Sequence, residues 1–336
     1  ALNGEECLFL AVVVSGDEKV TEKEIQKTVV EARTAKAPLA VENFVEAKED
    51  SEGRLVSMSF KNEDKFNFAY DVVDAIADKS PNKLAMLHIS KDKTERRFTF
   101  RDMKHASART ANYFKSLGIK KGDKVMVVLK RHYQFWFTIL ALHKLGAIAI
   151  PATHQLLEHD FEYRFKAAHV KAVVCTADDS TPDHVDAAAR SYGELDVKIL
   201  VGGKRDGWHN FDEEYALFRG KFPRTEETAC GSDPMLMFFT SGTTGYPKIA
   251  CHNYKYALGH YITAKYWHYV HEGGLHFTIS DTGWGKALWG KLYGQWMCEG
   301  SVFTYDFDRF DAAEILPMFK KYNITTFCAP PTMYRM

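Results

Sequence analysis

Residues 238–250 read FFTSGTTGYPKIA and are the most informative stretch of the sequence. A strand is predicted over 235–239, and it runs directly into a loop that contains Gly242 and Gly245. Glycines allow backbone conformations that other residues avoid, and successive amide groups in such a turn form a concavity that binds anions. Lys248 adds a positive charge, and four residues add hydroxyl groups: Thr240, Ser241, Thr243 and Thr244. The stretch therefore predicts a loop that binds a polyphosphate.

This loop differs from a Walker A loop, which has four residues between its glycines and leads into a helix. Here two residues separate Gly242 from Gly245. Pro247 also lacks a backbone donor and disfavours helical geometry in the residue before it. We therefore expect the chain to continue as extended backbone over 249–251. A surface turn without a ligand is the alternative interpretation of the same residues.

Outward from the loop, predicted strands alternate with predicted helices. Nearly continuous apolar runs predict further strands over 124–129, 147–150, 171–175, 197–202, 275–279, 301–305 and 324–329. Helices are predicted after Thr99, whose spacing to Asp102 suits a cap, over 135–145 before Gly146, and over 311–322. This alternation is typical of an α/β protein with parallel sheets.

The N-terminal part of the chain has a weaker pattern. A buried strand is predicted over 8–14, and a helix is predicted from Thr21, which has the capping-box spacing to Glu24. Residues 46–65 are charged and irregular, and we interpret them as a linker.

The composition excludes some functions. The 336 residues include 44 Lys plus Arg and 44 Asp plus Glu, so the formal net charge is zero. This balance argues against a nucleic acid partner, because such binding requires many neutralised phosphates. His143 and Lys144 interrupt the longest apolar run, over 135–152, which favours a buried helix and strand over a membrane span. With no basic, apolar leader at the N-terminus, we expect a cytoplasmic protein.

The segment TSGTTGYPK, over 240–248, resembles the phosphate-binding signature of the adenylate-forming superfamily. That superfamily includes acyl-CoA synthetases, luciferases and the adenylation domains of peptide synthetases. Residues 98–156 and 279–336 resemble flanking parts of the same family. The sequence DTGWGK, over 281–286, is most similar to medium-chain acyl-CoA synthetases. The resemblance covers residues 60–336, which is most of the chain.

The resemblance implies a fold and a reaction. The implied fold is the large N-terminal domain of adenylate-forming enzymes, with mostly parallel sheets flanked by helices and a β-barrel-like part. The implied reaction has two steps. A carboxylate first attacks ATP, which gives an acyl-adenylate and pyrophosphate, and the thiol of coenzyme A then displaces AMP. ATP, Mg²⁺ and coenzyme A are therefore the implied cofactors and co-substrates, and a medium-chain fatty or aromatic acid is the implied substrate.

The resemblance also implies roles for individual residues. Lys248 and Thr243 are the implied catalytic residues, and Thr244 is implied to contact Mg²⁺ through ATP. The whole loop is assigned to ATP binding: Thr240, Ser241, Gly242, Thr243, Thr244, Gly245, Tyr246, Pro247 and Lys248.

A second set of residues is assigned to the acid and to coenzyme A. Trp284, Gly285 and Lys286 match the segment that lines the acid pocket, and Gln155 matches a position that contacts coenzyme A. The alternatives are that Trp284 is an ordinary core residue and that Gln155 is an exposed polar loop residue. His252 follows the loop and receives no catalytic role.

The ends of the chain depart from the family pattern. We expect two parts, an N-terminal segment over 1–60 and the AMP-binding domain over 61–336. The N-terminal segment weakly resembles the family's mobile lid, with Arg54 near the position of its lysine, and an unrelated extension is the alternative. The sequence stops at Met336, before the family's ribose-binding residues and lid, so we expect this chain to bind the triphosphate poorly and to catalyse little.

Three functions remain open at this stage. The leading hypothesis is an AMP-forming acyl-CoA ligase. The second is another adenylate-forming enzyme, either one that loads a carrier protein or a luciferase-like one. The third is a catalytically incomplete, nucleotide-binding module.

Overall fold

The computed structural model describes residues 38–240 and 245–335. The segment Ala40–Met336 forms one compact unit. The strand predicted over 8–14 and the helix predicted from Thr21 lie outside the described residues. Within those ranges, no helix is both long and apolar enough to cross a membrane.

The largest sheet has seven strands in the order β11-β10-β6-β5-β7-β8-β9. All neighbouring pairs are parallel except β10 and β11, which form an antiparallel hairpin. The strands are β5 (Lys124–Val128), β6 (Ile148–Pro151), β7 (Val170–Thr176), β8 (Val197–Val201), β9 (His209–Asn210), β10 (Pro234–Thr240) and β11 (Lys248–Asn253). The central strands are buried on both faces, which explains their continuous apolar sequences.

A second sheet has five strands in the order β14-β12-β13-β3-β4. Only the β3–β4 pair is antiparallel. The strands are β3 (Leu84–Ile89), β4 (Glu95–Thr99), β12 (Leu275–Thr278), β13 (Ser301–Tyr305) and β14 (Thr326–Cys328). The predicted α/β fold with mostly parallel sheets is therefore confirmed, and β14 is shorter than the predicted strand over 324–329.

Helices connect most of the parallel strands. They are α1 (Ala75–Lys79), α2 (Phe100–Ser116), α3 (Gln134–Leu145), α4 (Glu158–Ala168), α5 (Thr181–Tyr192), α6 (Phe211–Glu214), α7 (Tyr256–Ile262), α8 (Gly285–Gly290), α9 (Tyr293–Met297) and α10 (Ala312–Tyr322). As predicted, Thr99 and Asp102 form a capping box at the start of α2. Gly146 ends α3 with a left-handed backbone (φ 79°), which glycine adopts without strain.

The long apolar run over 135–152 is the buried helix α3 followed by the buried strand β6, as predicted. Its two titratable residues have partners inside the protein. His143 Nε2 lies 2.7 Å from the hydroxyl of Tyr293, and Lys144 Nζ donates to Asp74 Oδ1 at 2.9 Å. The Lys144 ammonium and the Nε2 atom of His143 are thus satisfied, which allows the helix to be buried on nearly all sides, whereas His143 Nδ1 has no hydrogen-bond partner among the described residues.

The interpretation of residues 46–65 as a linker is wrong, because they contain most of an antiparallel hairpin. Strands β1 (Val45–Glu49) and β2 (Leu55–Phe60) pair around a turn at Asp50, whose carboxylate accepts hydrogen bonds from the amides of Glu52 and Arg54. The hairpin is largely exposed, so its strands lack the apolar pattern by which buried strands are recognised. Its end is fixed by an ion pair between Lys265 and Glu49 at 2.6 Å.

The predicted β-barrel-like part has no counterpart among the described residues. Both large sheets end in strands with a single neighbour, β11 and β9 in one and β14 and β4 in the other. A barrel requires its edge strands to pair with each other, and these edges do not. The boundary that we placed between residues 60 and 61 stays a prediction.

Candidate functional site

The predicted phosphate loop connects the two strands of the β10–β11 hairpin. Thr240 at the end of β10 is the register partner of Lys248 at the start of β11, and the Thr240 hydroxyl donates to the Lys248 carbonyl oxygen at 3.3 Å. The chain thus continues as a strand after Pro247, as predicted. Four predicted site residues lie outside the described residues: Ser241, Gly242, Thr243 and Thr244.

Helix α4 supports the second half of this loop. Tyr246, which is 74% exposed, stacks on the ring of Tyr163 with centroids 4.6 Å apart. The Tyr163 hydroxyl also donates to the carbonyl oxygen of Pro247 at 2.8 Å. Gly245 has φ of +105°, a conformation that other residues rarely adopt. Residues 246 and 247 are therefore held against α4 where the chain enters β11, and Lys248 is exposed.

A cavity of about 630 Å³ lies where the carboxyl ends of strands from both sheets meet. Its lining comes from six such ends: residues 130–131 after β5, 153–155 after β6, Asp179 after β7, 279–281 after β12, 307–308 after β13 and Pro330 after β14. Carboxyl ends of parallel strands are the usual place for ligands in α/β proteins. A groove of similar volume elsewhere, about 640 Å³, contains none of the predicted site residues.

The structure brings three of the predicted site residues together in this cavity: Gln155, Trp284 and Lys286 all line it. Trp284 is 59% exposed, so the alternative that it is a core residue is wrong. Gly285 begins α8 and lies next to the ring of Phe238 on β10, where an added Cβ would be 3.6 Å from that ring. The described residues of the phosphate loop do not line the cavity, but Phe238 is only two residues before Thr240.

Two loops from different sheets are joined beneath the cavity. The backbone of Gly283, after β12, packs so closely on Thr153, after β6, that any Cβ at residue 283 would overlap it. The amide and the hydroxyl of Thr282 both donate to the carbonyl oxygen of Lys130, after β5. The loops that line the cavity are therefore held in one arrangement.

A cluster of charges that was not predicted from the sequence lies on one wall of this cavity. The buried ammonium of Lys130 lies 3.0 Å from Asp178, 3.3 Å from Asp308 and 3.4 Å from Asp179. Burial alone would lower the pKa of Lys130, but hydrogen bonds and charges from these three carboxylates raise it above its ordinary value. Lys130 therefore stays charged and ties the ends of β5, β7 and β13 together.

A second missed group lies below Trp284. The Nδ1 atom of His154 is 3.4 Å from Oδ2 of Asp281, and Asp281 Oδ1 accepts the amide of Gly283 at 2.7 Å. Behind them, the ammonium of Lys291 is fully buried and donates to the Ser280 carbonyl oxygen at 2.7 Å. Burial, reinforced by the charge of Arg131, lowers the pKa of Lys291 to about 7.

Some of these residues could have been recognised from their positions in the sequence. Three of them lie close to predicted features: Lys130 follows the strand predicted over 124–129, His154 precedes Gln155, and Asp281 begins the segment that contains Trp284. Because the carboxyl ends of parallel strands meet at one edge of a sheet, polar residues that follow such strands are the signal that predicts this group.

His252, which received no catalytic role, lies on β11 between aromatic rings. Its ring centroid is 4.3 Å from that of Tyr256 and 5.7 Å from that of Phe238. Burial lowers the pKa of His252, so the imidazole is neutral near pH 7. Phe238, one of these two neighbours, is also next to Gly285.

Comparison with known proteins gives one family and many relatives. The AMP-binding enzyme family matches residues 73–336. Human acyl-coenzyme A synthetase ACSM3, mitochondrial, is 32% identical over 281 residues, which are 81% of this chain and 47% of that protein. Rat acyl-coenzyme A synthetase ACSM5, mitochondrial, is 36% identical over 282 residues, with the same coverage of 81% and 47%. The chain thus spans about half the length of these relatives.

Solved structures share the fold. The crystal structure of Brucella canis acyl-CoA synthetase matches with a TM-score of 0.70 and 24% identity over 82% of this chain and 49% of that chain. The anthranilate CoA ligase AuaEII in complex with anthranoyl-AMP matches with a TM-score of 0.71 and 21% identity, over 81% and 51%. Because the family match covers well over half of its residues, this chain belongs to the AMP-binding enzyme family.

Proposed function

We propose that the protein containing this chain activates a carboxylic acid with ATP and transfers the acyl group to coenzyme A, releasing pyrophosphate and AMP. One observation carries the proposal. The chain belongs to the AMP-binding enzyme family, and Gln155, Trp284 and Lys286 line one cavity. This cavity lies beside β10, the strand that leads into the phosphate loop. The names of the human and rat relatives support the same reaction.

The phosphate loop would bind and orient the triphosphate. Transfer of an adenylyl group places negative charge on the phosphate oxygens, and fixed donors and cations stabilise that charge. Lys248 is exposed at the start of β11 and would supply a positive charge there, and the Thr240 hydroxyl lies beside it. We propose that Thr243 takes part in catalysis as well.

Mg²⁺ would accompany ATP. Proteins usually bind this ion through the phosphates of the nucleotide and only one or two side chains. The described residues include no cluster of three or more His, Cys, Asp or Glu side chains that could hold a metal ion. We therefore propose that the nucleotide holds the ion and that Thr244 contributes a hydroxyl group.

The acid would occupy the cavity beside Trp284. This indole, together with Phe307 and Met333, provides apolar surface that fits an alkyl chain or an aromatic ring. Lys286 supplies an ammonium group for the carboxylate, and Gln155 would contact coenzyme A. The substrate class is a medium-chain fatty or an aromatic acid, and the anthranilate ligase of the same fold supports testing aromatic acids.

The test is acid-dependent exchange of labelled pyrophosphate into ATP. The intact protein would be assayed with straight-chain acids of increasing length and with benzoate derivatives. We expect exchange with at least one acid, and Lys248→Ala should lower kcat/KM for ATP by about 10²–10³-fold. Lys48→Ala, which removes an exposed lysine on β1, is the matched control.

The outcomes separate the candidate functions. Absence of exchange with every acid would refute acid activation. Exchange followed by AMP release that does not require free coenzyme A would instead indicate a carrier-loading or luciferase-like enzyme. The cytoplasmic location stays a prediction, and the human and rat relatives are mitochondrial by name.

A further inference from the structure

His154 and Asp281 form a close pair on the wall of the cavity. His154 Nδ1 lies 3.4 Å from Asp281 Oδ2, and both atoms are buried. Within residues 38–240 and 245–335, neither atom forms a hydrogen bond of normal geometry, so the contact between them is a close electrostatic one. Asp281 is only 9% exposed, and the cavity lining includes both residues. A buried carboxylate oxygen directed at a cavity histidine is costly unless it serves a purpose.

The backbone around the pair fixes its geometry. Asp281 Oδ1 accepts the amide of Gly283, whose own backbone is packed on Thr153, the residue before His154. The carbonyl oxygen of His154 also accepts a hydrogen bond from the Thr181 hydroxyl at 3.4 Å. The backbone on both sides of the pair is therefore held in place.

The imidazole consequently presents different edges to the protein and to the cavity. Nδ1 is buried against Asp281, whereas the His154 side chain as a whole is 23% exposed. The exposed part of the ring is therefore the opposite side, which carries Nε2. No described residue forms a hydrogen bond with Nε2, so this atom is free to meet a ligand in the cavity.

The surrounding charges keep Asp281 ionised. Burial would raise the pKa of Asp281, but contacts with His154 and the Gly283 amide and the charge of Arg131 lower it below its ordinary value. An ionised carboxylate favours a proton on Nδ1 and leaves the lone pair on Nε2. The other charged groups around the pair are Lys130, Arg131, Asp179, Lys286, Lys291 and Asp308.

We propose that His154 is the general base for the thiol in the second half-reaction and that Asp281 is its positioning residue. This inference rests on the function proposed above. Nε2 takes the proton from the thiol while the sulfur forms a bond to the acyl carbon. The bond from that carbon to the phosphate oxygen of the adenylate breaks, and AMP leaves with the electron pair. The imidazolium then gives its proton to water.

A base at this position would promote attack by the thiol. An alkyl thiol has an ordinary pKa of about 8.5, so most of it is protonated near pH 7, whereas the thiolate is the nucleophile. An imidazole accepts protons in this pH range and is the commonest general base. His154 is next to Gln155, the residue assigned to coenzyme A, so the base lies where the thiol is expected to enter.

The test measures the two half-reactions separately on the intact protein. Pyrophosphate exchange reports the first, and thioester formation from a preformed acyl-adenylate and coenzyme A reports the second. We expect His154→Gln to slow the second by about 10²–10⁴-fold, and to slow exchange at least tenfold less. His159→Gln, at an exposed histidine on α4, is the matched control and should affect neither.

Two further measurements distinguish a catalytic from a structural role. Imidazole added to the solution should restore part of the second half-reaction in His154→Ala. Asp281→Asn should slow the same step and shift its pH profile, because the proton on Nδ1 is no longer fixed.

The outcomes are decisive in each direction. Equal losses in both half-reactions without rescue would show that the pair is structural and would overturn the inference, as would a second half-reaction in His154→Gln within twofold of the control. If the unmodified protein exchanges pyrophosphate with no acid, the proposed function is refuted and this inference falls with it.

Discussion

The backbone of Gly283 rests directly on the backbone of Thr153, with no space for a side chain between them. This contact joins the loop after β12 in the five-stranded sheet to the loop after β6 in the seven-stranded sheet. The contact lies beside His154 and Asp281 in the chain, which are 3.4 Å apart and both line the cavity. A glycine is required here because of close approach, since a Cβ would overlap backbone atoms that cannot rotate away.

Gly283→Ala should therefore separate the two loops. We expect the free energy of unfolding to fall by about 1–3 kcal/mol, the usual cost of overpacking, and thioester formation to be lost. Urea unfolding followed by circular dichroism measures the first effect. Gly259→Ala on α7, where a Cβ meets nothing within 4 Å, is the control and should leave stability unchanged or slightly higher. Equal stability of both variants would contradict the role of this contact.

Tyr163→Phe tests whether α4 supports the phosphate loop. The change removes the hydrogen bond to the Pro247 carbonyl oxygen and keeps the stacking with Tyr246. We expect KM for ATP to rise several-fold in pyrophosphate exchange, because the loop loses one of its fixed points. Tyr266→Phe also loses one hydrogen bond, to Glu49 at 2.7 Å, at a distant place. A similar KM in both variants would show that the support is unimportant.

Trp284→Ala should separate binding from stability. Because Trp284 is largely exposed, we expect the free energy of unfolding to change by no more than about 0.5 kcal/mol. KM for the acid should rise by about tenfold or more, since each tenfold corresponds to about 1.4 kcal/mol of lost contact. Trp267→Ala removes another exposed tryptophan outside the cavity and is the control. The acid-pocket assignment fails if both variants show the same KM.

Lys291 should make stability depend on pH. Burial lowers the pKa of Lys291 from 10.5 to about 7, so between these values the unfolded chain binds a proton that the folded chain does not. The free-energy cost of burying the Lys291 side chain is largest below pH 7, because the group is then charged in the unfolded chain and must be buried charged or lose its proton. This cost decreases as the pH rises above 7. The free energy of unfolding from this group should therefore rise by about 1–3 kcal/mol between pH 7 and pH 9.

Lys291→Met removes this contribution. The rise in unfolding free energy between pH 7 and pH 9 should be smaller in the variant than in the unmodified chain, and urea unfolding at several pH values measures the difference. Lys115→Met, at an exposed position on α2, is the matched control. An unchanged slope in Lys291→Met would show that burial does not lower the pKa of the Lys291 side chain.

The sequence by itself determined the elements of the fold and the phosphate loop. Buried strands such as β5 and β7 have continuous apolar runs, and the capping box at Thr99 and the stop at Gly146 are local signals. The loop over 240–248 is likewise one continuous motif. The exposed hairpin over 45–60 was missed because strands facing solvent on both sides lack an apolar pattern.

Only the tertiary structure decided which residues share the cavity. Lys130 and Asp308 are far apart in sequence, as are His154 and Asp281, and they meet because the carboxyl ends of strands from two sheets converge. That convergence depends on strand order and on close contacts such as that of Gly283 with Thr153. These are interactions between distant parts of the chain, which no local pattern of residues encodes.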